Sequence, residues 1–259
     1  MGNGSMSPVL QIEKLSKSFT SQGGENEILK GLSLSVERNE FVCVLGPSGC
    51  GKSTMLRCIA GFEQFEGRII CNGKTVVKPS TDRIMVFQDY NQLFPWKTVE
   101  GNIQYPLKIQ GLKDKAQLKA KSDAVLHKVG LDGYQTYYPH ELSGGMKQRA
   151  AIAKALALEP EIILMDEPFA ALDAITRNKL QKEVNRITED TDVTVIFVTH
   201  NIQEAITLGS RLILLGKNGK IVIDKQNPLQ KPITPSSPGY GELWELFSNA
   251  LSTEMGDTN

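Results

Sequence analysis

The chain lacks any uninterrupted apolar run approaching the roughly 20 residues that a bilayer-spanning helix requires, so none of its 259 residues is expected to cross a membrane. It also lacks a charge excess of either sign: Lys plus Arg and Asp plus Glu are both 29, and the formal net charge is zero. That balance argues against a global basic field for nucleic acid and against an acidic disordered tail. Cysteines are few, namely Cys43, Cys50, Cys58 and Cys71, with no C-x-x-C pair, and the histidines are His127, His140 and His200 alone. So sparse a set excludes zinc-finger spacing and a disulfide framework, and leaves four reduced thiols. Residues 1–6 hold no apolar core and do not read as a signal peptide; they are either native or a cloning remnant, with Met6 as an alternative start. A cytosolic chain is expected, and any membrane role must come through a partner.

What is present suits a globular protein. Apolar residues make up 40% and charged residues 22%, ordinary values, and the length allows one large domain or two small ones. Residues 10–12 and 32–36 read as strands, the second alternating like a half-buried antiparallel strand, with a polar loop at 20–26 between them. Phe41–Leu45 is continuously apolar, as in a buried parallel sheet, and it leads through a Gly-rich turn into a helical segment, residues 52–60, closed by Gly61. Further buried strands are predicted at 84–87, 162–165, 193–198 and 212–215. Between them, residues 115–129 form an amphipathic helix, and Leu180, Val184 and Ile187 repeat at helical spacing after Asp173. Strands alternating with helices indicate an α/β fold with a mainly parallel sheet. Residues 90–140 hold no strong strand and read as a helical insertion. Prolines 228, 232, 235 and 238 mark an extended linker over 227–240, followed by a short amphipathic helix carrying Leu243, Trp244, Leu246 and Phe247.

Gly46-Pro47-Ser48-Gly49-Cys50-Gly51-Lys52-Ser53, followed by Thr54, matches the phosphate-binding pattern G-x-x-x-x-G-K-[ST]. Glycines let successive N–H groups curl around an anion, and the following helix adds its positive end. Lys52 would reach the β- and γ-phosphates, Ser53 would ligate Mg²⁺, and Cys50 is a spacer. The buried strand before the loop and the helix after it are the context such a loop needs. Residues 162–167, IILMDE, form a strand ending in two carboxylates at the position where α/β sheets place ligands. Asp166 would hold Mg²⁺, directly or through water, and Glu167 would orient the attacking water.

Leu142-Ser143-Gly144-Gly145-Met146-Lys147-Gln148-Arg149 resembles the LSGGQ signature of the ABC ATPases, with Met146 where glutamine is commonest. The resemblance covers nearly the whole chain and includes every family motif in order. It implies a P-loop NTPase core with a mainly parallel sheet, an N-terminal antiparallel β subdomain and an inserted α-helical subdomain. The boundaries it implies are 1–8 for the N-terminal segment, 9–226 for the ATPase domain with the insertion at about 90–145, and 227–259 for the linker and last helix.

In that resemblance the N-terminal end of the signature helix, with Ser143, Gly144 and Gly145, faces the γ-phosphate held by the other subunit, so that two chains sandwich two Mg-ATP. The alternative for Ser143 is a simple helix cap. Phe19 resembles the aromatic that stacks on adenine, or else is a strand-end hydrophobe. Gln88 looks like the Q-loop glutamine that touches Mg²⁺ and senses the transporter. Ala171-Leu172-Asp173 looks like the D-loop crossing the dimer interface, with Asp173 also fit to cap the next helix. His200, after a strand, resembles the switch histidine contacting the γ-phosphate, whereas His127 and His140 read as surface or packing residues.

The stretch between Lys52 and Ser143 leaves room for a small helical subdomain but none for a long coiled coil, and a single motif set excludes a tandem protein. Phe94, Pro95 and Trp96 form an apolar cluster after Gln88, where the family receives a permease's cytoplasmic helix; local packing is the alternative. The Pro-Trp pair, the pattern Thr98-Val99-x-x-Asn102-Ile103 and the short tail look most like the nitrate, sulfonate and taurine branch of importers. The resemblance thus implies an ATP-hydrolysing subunit, paired with itself or a related ATPase. It would bind a permease near Gln88 and residues 94–96 at the cytoplasmic face of the inner membrane, in a system with an extracytoplasmic solute-binding protein and no nucleic acid. The alternative is a non-transport ABC ATPase working as a nucleotide-driven clamp.

Overall fold

The computed structural model describes residues 7–21, 24–87, 92–170 and 173–256. The N-terminal part holds β1 (Leu10–Ser21), β2 (Gly24–Val36), β3 (Phe41–Leu45), α1 (Lys52–Ala60), β4 (Glu66–Cys71) and β5 (Lys74–Thr75). Then follow β6 (Arg83–Val86), α2 (Val99–Ile109), α3 (Lys115–Lys128), α4 (Gly144–Leu156), β7 (Ile162–Asp166) and α5 (Ala174–Glu189). The chain ends with β8 (Thr194–Val198), α6 (Ile202–Leu208), β9 (Arg211–Leu215), β10 (Ile221–Gln226) and α7 (Tyr240–Met255). Two compact units result, one made of residues 1–80 and 193–259, the other of residues 81–192. Among the described residues no helix is long and apolar enough to cross a membrane.

In the first unit, β3 is paired in parallel with β8 on one side and β9 on the other, with Val44 opposite both Val198 and Ile213. All five β3 side chains are buried, which is why the strand reads as an unbroken apolar run rather than an alternating one. β10 closes that edge antiparallel to β9. A separate antiparallel sheet has the order β2-β1-β4-β5, with Leu29, Leu32, Leu34 and Val36 of β2 turned inward. β1 bulges between Ile12 and Leu15. Gly67 on β4 lies against that bulge at φ 91°, and a Cβ there would sit 2.3 Å from the Lys14 carbonyl oxygen.

Three expectations need correction in this unit. The segment 20–26 is strand on either side of residues 22–23, with Thr20 opposite Glu25; backbone pairing carries polar residues through an exposed hairpin that has no apolar side to betray it. β4, β5 and β10 escaped the sequence reading because they bury little at regular spacing, in β4 only Ile69 and Cys71; α6 escaped it because it is only seven residues long, although it buries Glu204, Ala205, Ile206 and Leu208. α7 is not short but 16 residues long. It buries Tyr240, Leu243 and Phe247 while Trp244 and Leu246 stay 43% exposed each, so its apolar stripe is narrower than expected.

In the second unit β6 and β7 are parallel, with Val86 opposite Met165. The helices start where small polar residues satisfy their first amides: Thr98 for α2, Asp114 for α3, Ser143 for α4 and Asp173 for α5. Within this unit α2 packs on α3 and α4, and α4 on β6 and α5.

Candidate nucleotide site

The loop between β3 and α1 is closed by steric necessity. A Cβ on Gly46 would lie 2.4 Å from the Leu215 carbonyl oxygen and 2.7 Å from Cys50 Sγ. Gly51 takes φ 105°, and a Cβ there would lie 2.5 Å from Leu29 Cδ2. Gly49 has φ 81° with open space around it. Gly51 is also the N-cap of α1; having no side chain, it leaves the first amides of the helix to an anion. The Lys52 side chain is buried, and its ammonium donates to the carbonyls of Gly46 (2.8 Å) and Pro47 (2.9 Å). Its third contact is Cys50 Sγ at 3.9 Å. A thiol is a weak acceptor, so a phosphate oxygen would displace it. Burial pushes the Cys50 thiol pKa up, the nearby Lys52 cation opposing only in part; Cys50 is a neutral packing group. Ser53 is exposed and Thr54 half-buried at the start of α1.

His200 leaves β8 at the same sheet edge from which the loop leaves β3. The Thr199 N–H donates to the Val44 carbonyl at 3.1 Å, and the His200 side chain is exposed. Behind it, the Thr199 hydroxyl donates to Glu204 Oε2 at 2.6 Å and accepts from the Asn201 N–H at 3.0 Å. Asn201 caps α6 by accepting from the Glu204 N–H at 3.2 Å. Phe19 stands on β1 with its ring 41% exposed and Lys17 Nζ 4.5 Å from its centre. It therefore stays out of the core and keeps a face for stacking.

The remaining sequence-predicted residues lie in the second unit. Asp166 is the last residue of β7. Glu167 takes φ 44°, a left-handed backbone costly for a residue with a Cβ, and its carbonyl receives the Ala170 N–H at 3.2 Å. Ser143 caps α4, accepting from the Met146 N–H at 3.4 Å, and the first helical amides belong to Gly144 and Gly145. Gly145 is buried; a Cβ on it would lie 3.0 Å from Thr176 Cγ2, which brings the tip of α4 against the start of α5. There Asp173 accepts from the N–H groups of Ile175 (3.1 Å) and Thr176 (3.0 Å). Those donors, Thr176 first, hold its carboxyl below the usual aspartate range. Gln88 lies outside the described residues, as do Ala171 and Leu172.

Asn102, which the sequence offered only as part of a branch-like pattern, has a structural role in this unit. Asn102 is fully buried. It accepts from the Phe94 N–H at 2.7 Å and donates to the carbonyls of Phe94, Lys97 and Thr98 at 3.2, 3.1 and 3.0 Å. This holds Phe94 edge-on to Tyr105 at 4.9 Å and 5.4 Å from Trp96, with Trp96 70% exposed. Phe94 packs locally, as the alternative had it, whereas Trp96 leans on Phe94 and leaves most of its surface exposed. The only sequence signal was an asparagine inside a helical stretch, where its polar side chain needs a partner.

Comparisons with known proteins agree on one family. A family model described as ABC transporter matches residues 29–170. The aliphatic sulfonates import ATP-binding protein SsuB of Bacillus cereus is 45% identical over 236 residues, covering 90% of this chain and 92% of that protein. The nitrate import ATP-binding protein NrtC of Synechococcus elongatus is 39% identical over 258 residues, which is 96% of this chain but 39% of that longer protein. Among solved structures, a dimeric post-hydrolysis state of the ATP-binding cassette MJ0796 with ADP and Pi aligns with a TM-score of 0.73 at 32% identity, covering 84% of this chain and 98% of that one.

Proposed function

Since the chain belongs to the ABC transporter family, we propose that it is the ATP-hydrolysing subunit of an importer for nitrate, a sulfonate, taurine or a similar small solute. The observation that carries this reading is the loop 46–52, whose glycines are required by contact and whose lysine is held inside it. The SsuB and NrtC relatives, named for sulfonate and nitrate import, support the solute class.

The residues present fit ATP. The loop Gly46-Pro47-Ser48-Gly49-Cys50-Gly51 wraps the β-phosphate with its backbone N–H groups, Pro47 having none to donate, Lys52 neutralises β- and γ-oxygens, Thr54 lies at the helix start, and Phe19 stacks on adenine. Ser53, Gln88 and Asp166 would hold Mg²⁺, which offsets phosphate charge. Among the described residues no cluster of three or more His, Cys, Asp and Glu side chains could hold a metal, so the ion's remaining ligands would be phosphate oxygens and water. Glu167 polarises the attacking water, and His200 holds the γ-phosphate in line. From the second subunit, Ser143, Gly144 and Gly145 present amides to the γ-phosphate, and Asp173 lies at the interface. The dimeric arrangement of the MJ0796 structure supports this sandwich. Closure on ATP and reopening after hydrolysis would swing a permease docked near Gln88 and residues 94–96. The chain would thus work at the cytoplasmic face of the inner membrane, beside an extracytoplasmic solute-binding protein. In this reading the family's helical insertion, residues 90–145, is a part of the second unit.

The test is Glu167→Gln. It should bind ATP with near wild-type affinity, accumulate as a dimer by sedimentation, and lose turnover; wild-type turnover would remove Glu167 from its role. Trp96→Ala tests the docking loop, since it should lower recovery of the permease of the same transporter on the tagged subunit while basal hydrolysis stays unchanged.

A further inference from the structure

Resting on the reading of residues 94–96 as the permease-facing loop, we propose that Lys154 is the positioning residue that couples this loop to the nucleotide-sensing tip of α4. Lys154 stands in the last turn of α4, the helix that Ser143 caps. Its ammonium donates to the Gln92 carbonyl at 2.8 Å and lies 4.4 Å from the centre of the Phe94 ring. One cation therefore holds both the start of the loop and its half-buried aromatic, Phe94. The loop itself is stiff, because Asn102 ties Phe94, Lys97 and Thr98 together through four hydrogen bonds.

The same junction reaches the residue preceding Gln88. The Gln92 side chain accepts from the Phe87 N–H at 2.9 Å and donates to the Phe87 carbonyl at 2.6 Å. Gln92 thus meets Phe87 with its side chain and Lys154 with its backbone. From Lys154 to Ser143 along α4 is about 16 Å at the rise of an α-helix, and a continuous hydrogen-bonded helix moves as a rod over that length. A displacement of Trp96 by a partner would tilt α4 through Lys154, and a nucleotide at the Ser143 tip would move Trp96 in return. Burial of the ammonium lowers the Lys154 pKa. A lysine kept in such a place makes its contacts in a medium where a charge–carbonyl bond and a cation–ring contact are stronger than in water.

The chain has two tryptophans, Trp96 and Trp244, so Trp244→Phe leaves Trp96 as the sole indole emitter. In this background a non-hydrolysable ATP analogue with Mg²⁺ should shift Trp96 emission. Adding Lys154→Met, which keeps the aliphatic stem, should abolish the shift while calorimetric affinity for the analogue stays within about twofold; Lys154→Arg should retain it. The proposal is overturned by an absent shift in Trp244→Phe alone or by a full shift in Lys154→Met. It is equally overturned if Lys154→Met loses the shift and the affinity together, which would make Lys154 a folding residue only. No permease enters this measurement, so its outcome is separate from that of the docking reading, which the Trp96→Ala recovery decides.

Discussion

The Thr199 hydroxyl donates to the Glu204 carboxylate at 2.6 Å immediately before His200. Both residues are buried, and the same hydroxyl accepts the N–H of Asn201, the residue after His200. His200 is therefore bracketed by one hydroxyl acting as donor and acceptor. Thr199→Val keeps the shape and removes both bonds, taking one donor from a buried carboxylate. The expected result is a loss of about 2 kcal/mol in urea denaturation, with ATP turnover falling more than ATP affinity. Thr199→Ser should preserve both quantities.

The loop glycines are not equivalent. Gly49 is strained only by its backbone angle, whereas a side chain at Gly51 also collides with Leu29. Gly49→Ala should cost about 1–2 kcal/mol and still give a folded protein. Gly51→Ala should cost more and displace β2 at Leu29. Thermal unfolding with and without ATP separates the two, because only a cradle of intact shape gains stability from the nucleotide.

Asp173 gives α5 a pH-dependent start. Its carboxyl is held below the usual range by amide donors, so the stabilisation is present above the unfolded-state pKa and is lost as pH falls through the lowered folded value. Acidification should therefore speed amide hydrogen exchange at Ile175 and Thr176 relative to Asp173→Asn, whose amide oxygen caps without titrating. At neutral pH the two proteins should exchange alike, and Asp173→Ala should fray throughout.

The apolar anchor of α7 is its inner face. Phe247 is fully buried while Trp244 is 43% exposed. Phe247→Ala should cost about 3–5 kcal/mol, and Trp244→Ala about 0.5 kcal/mol, as read from chemical denaturation of the whole chain.

Much of the site was legible because its chemistry is local in sequence. The run from Gly46 to Ser53 must be contiguous to curl around an anion, and the helix it opens, Lys52–Ala60 closed by Gly61, was predicted to the residue. Buried strands such as Phe41–Leu45 were legible because both their faces are covered. The hairpin through Thr20 and Glu25, and strands β4 and β10, were not, since their partners supply backbone bonds that leave no pattern in composition. The hydrogen-bonding roles of Asn102, Lys154, Thr199 and Glu204 were invisible for a related reason: each acts through a partner that only the fold brings near.

By itself the sequence determined the order of the Gly-rich loop, the Ser143-Gly144-Gly145 segment, the paired carboxylates and the strand-end His200, because each is read from residues adjacent along the chain. Tertiary structure alone decided that Glu167 has a left-handed backbone, that Thr199 and Glu204 support His200, and that Lys154 joins Gln92 and Phe94 to α4. Residues separated along the chain interact only once burial has brought them together and removed the water that would otherwise satisfy them.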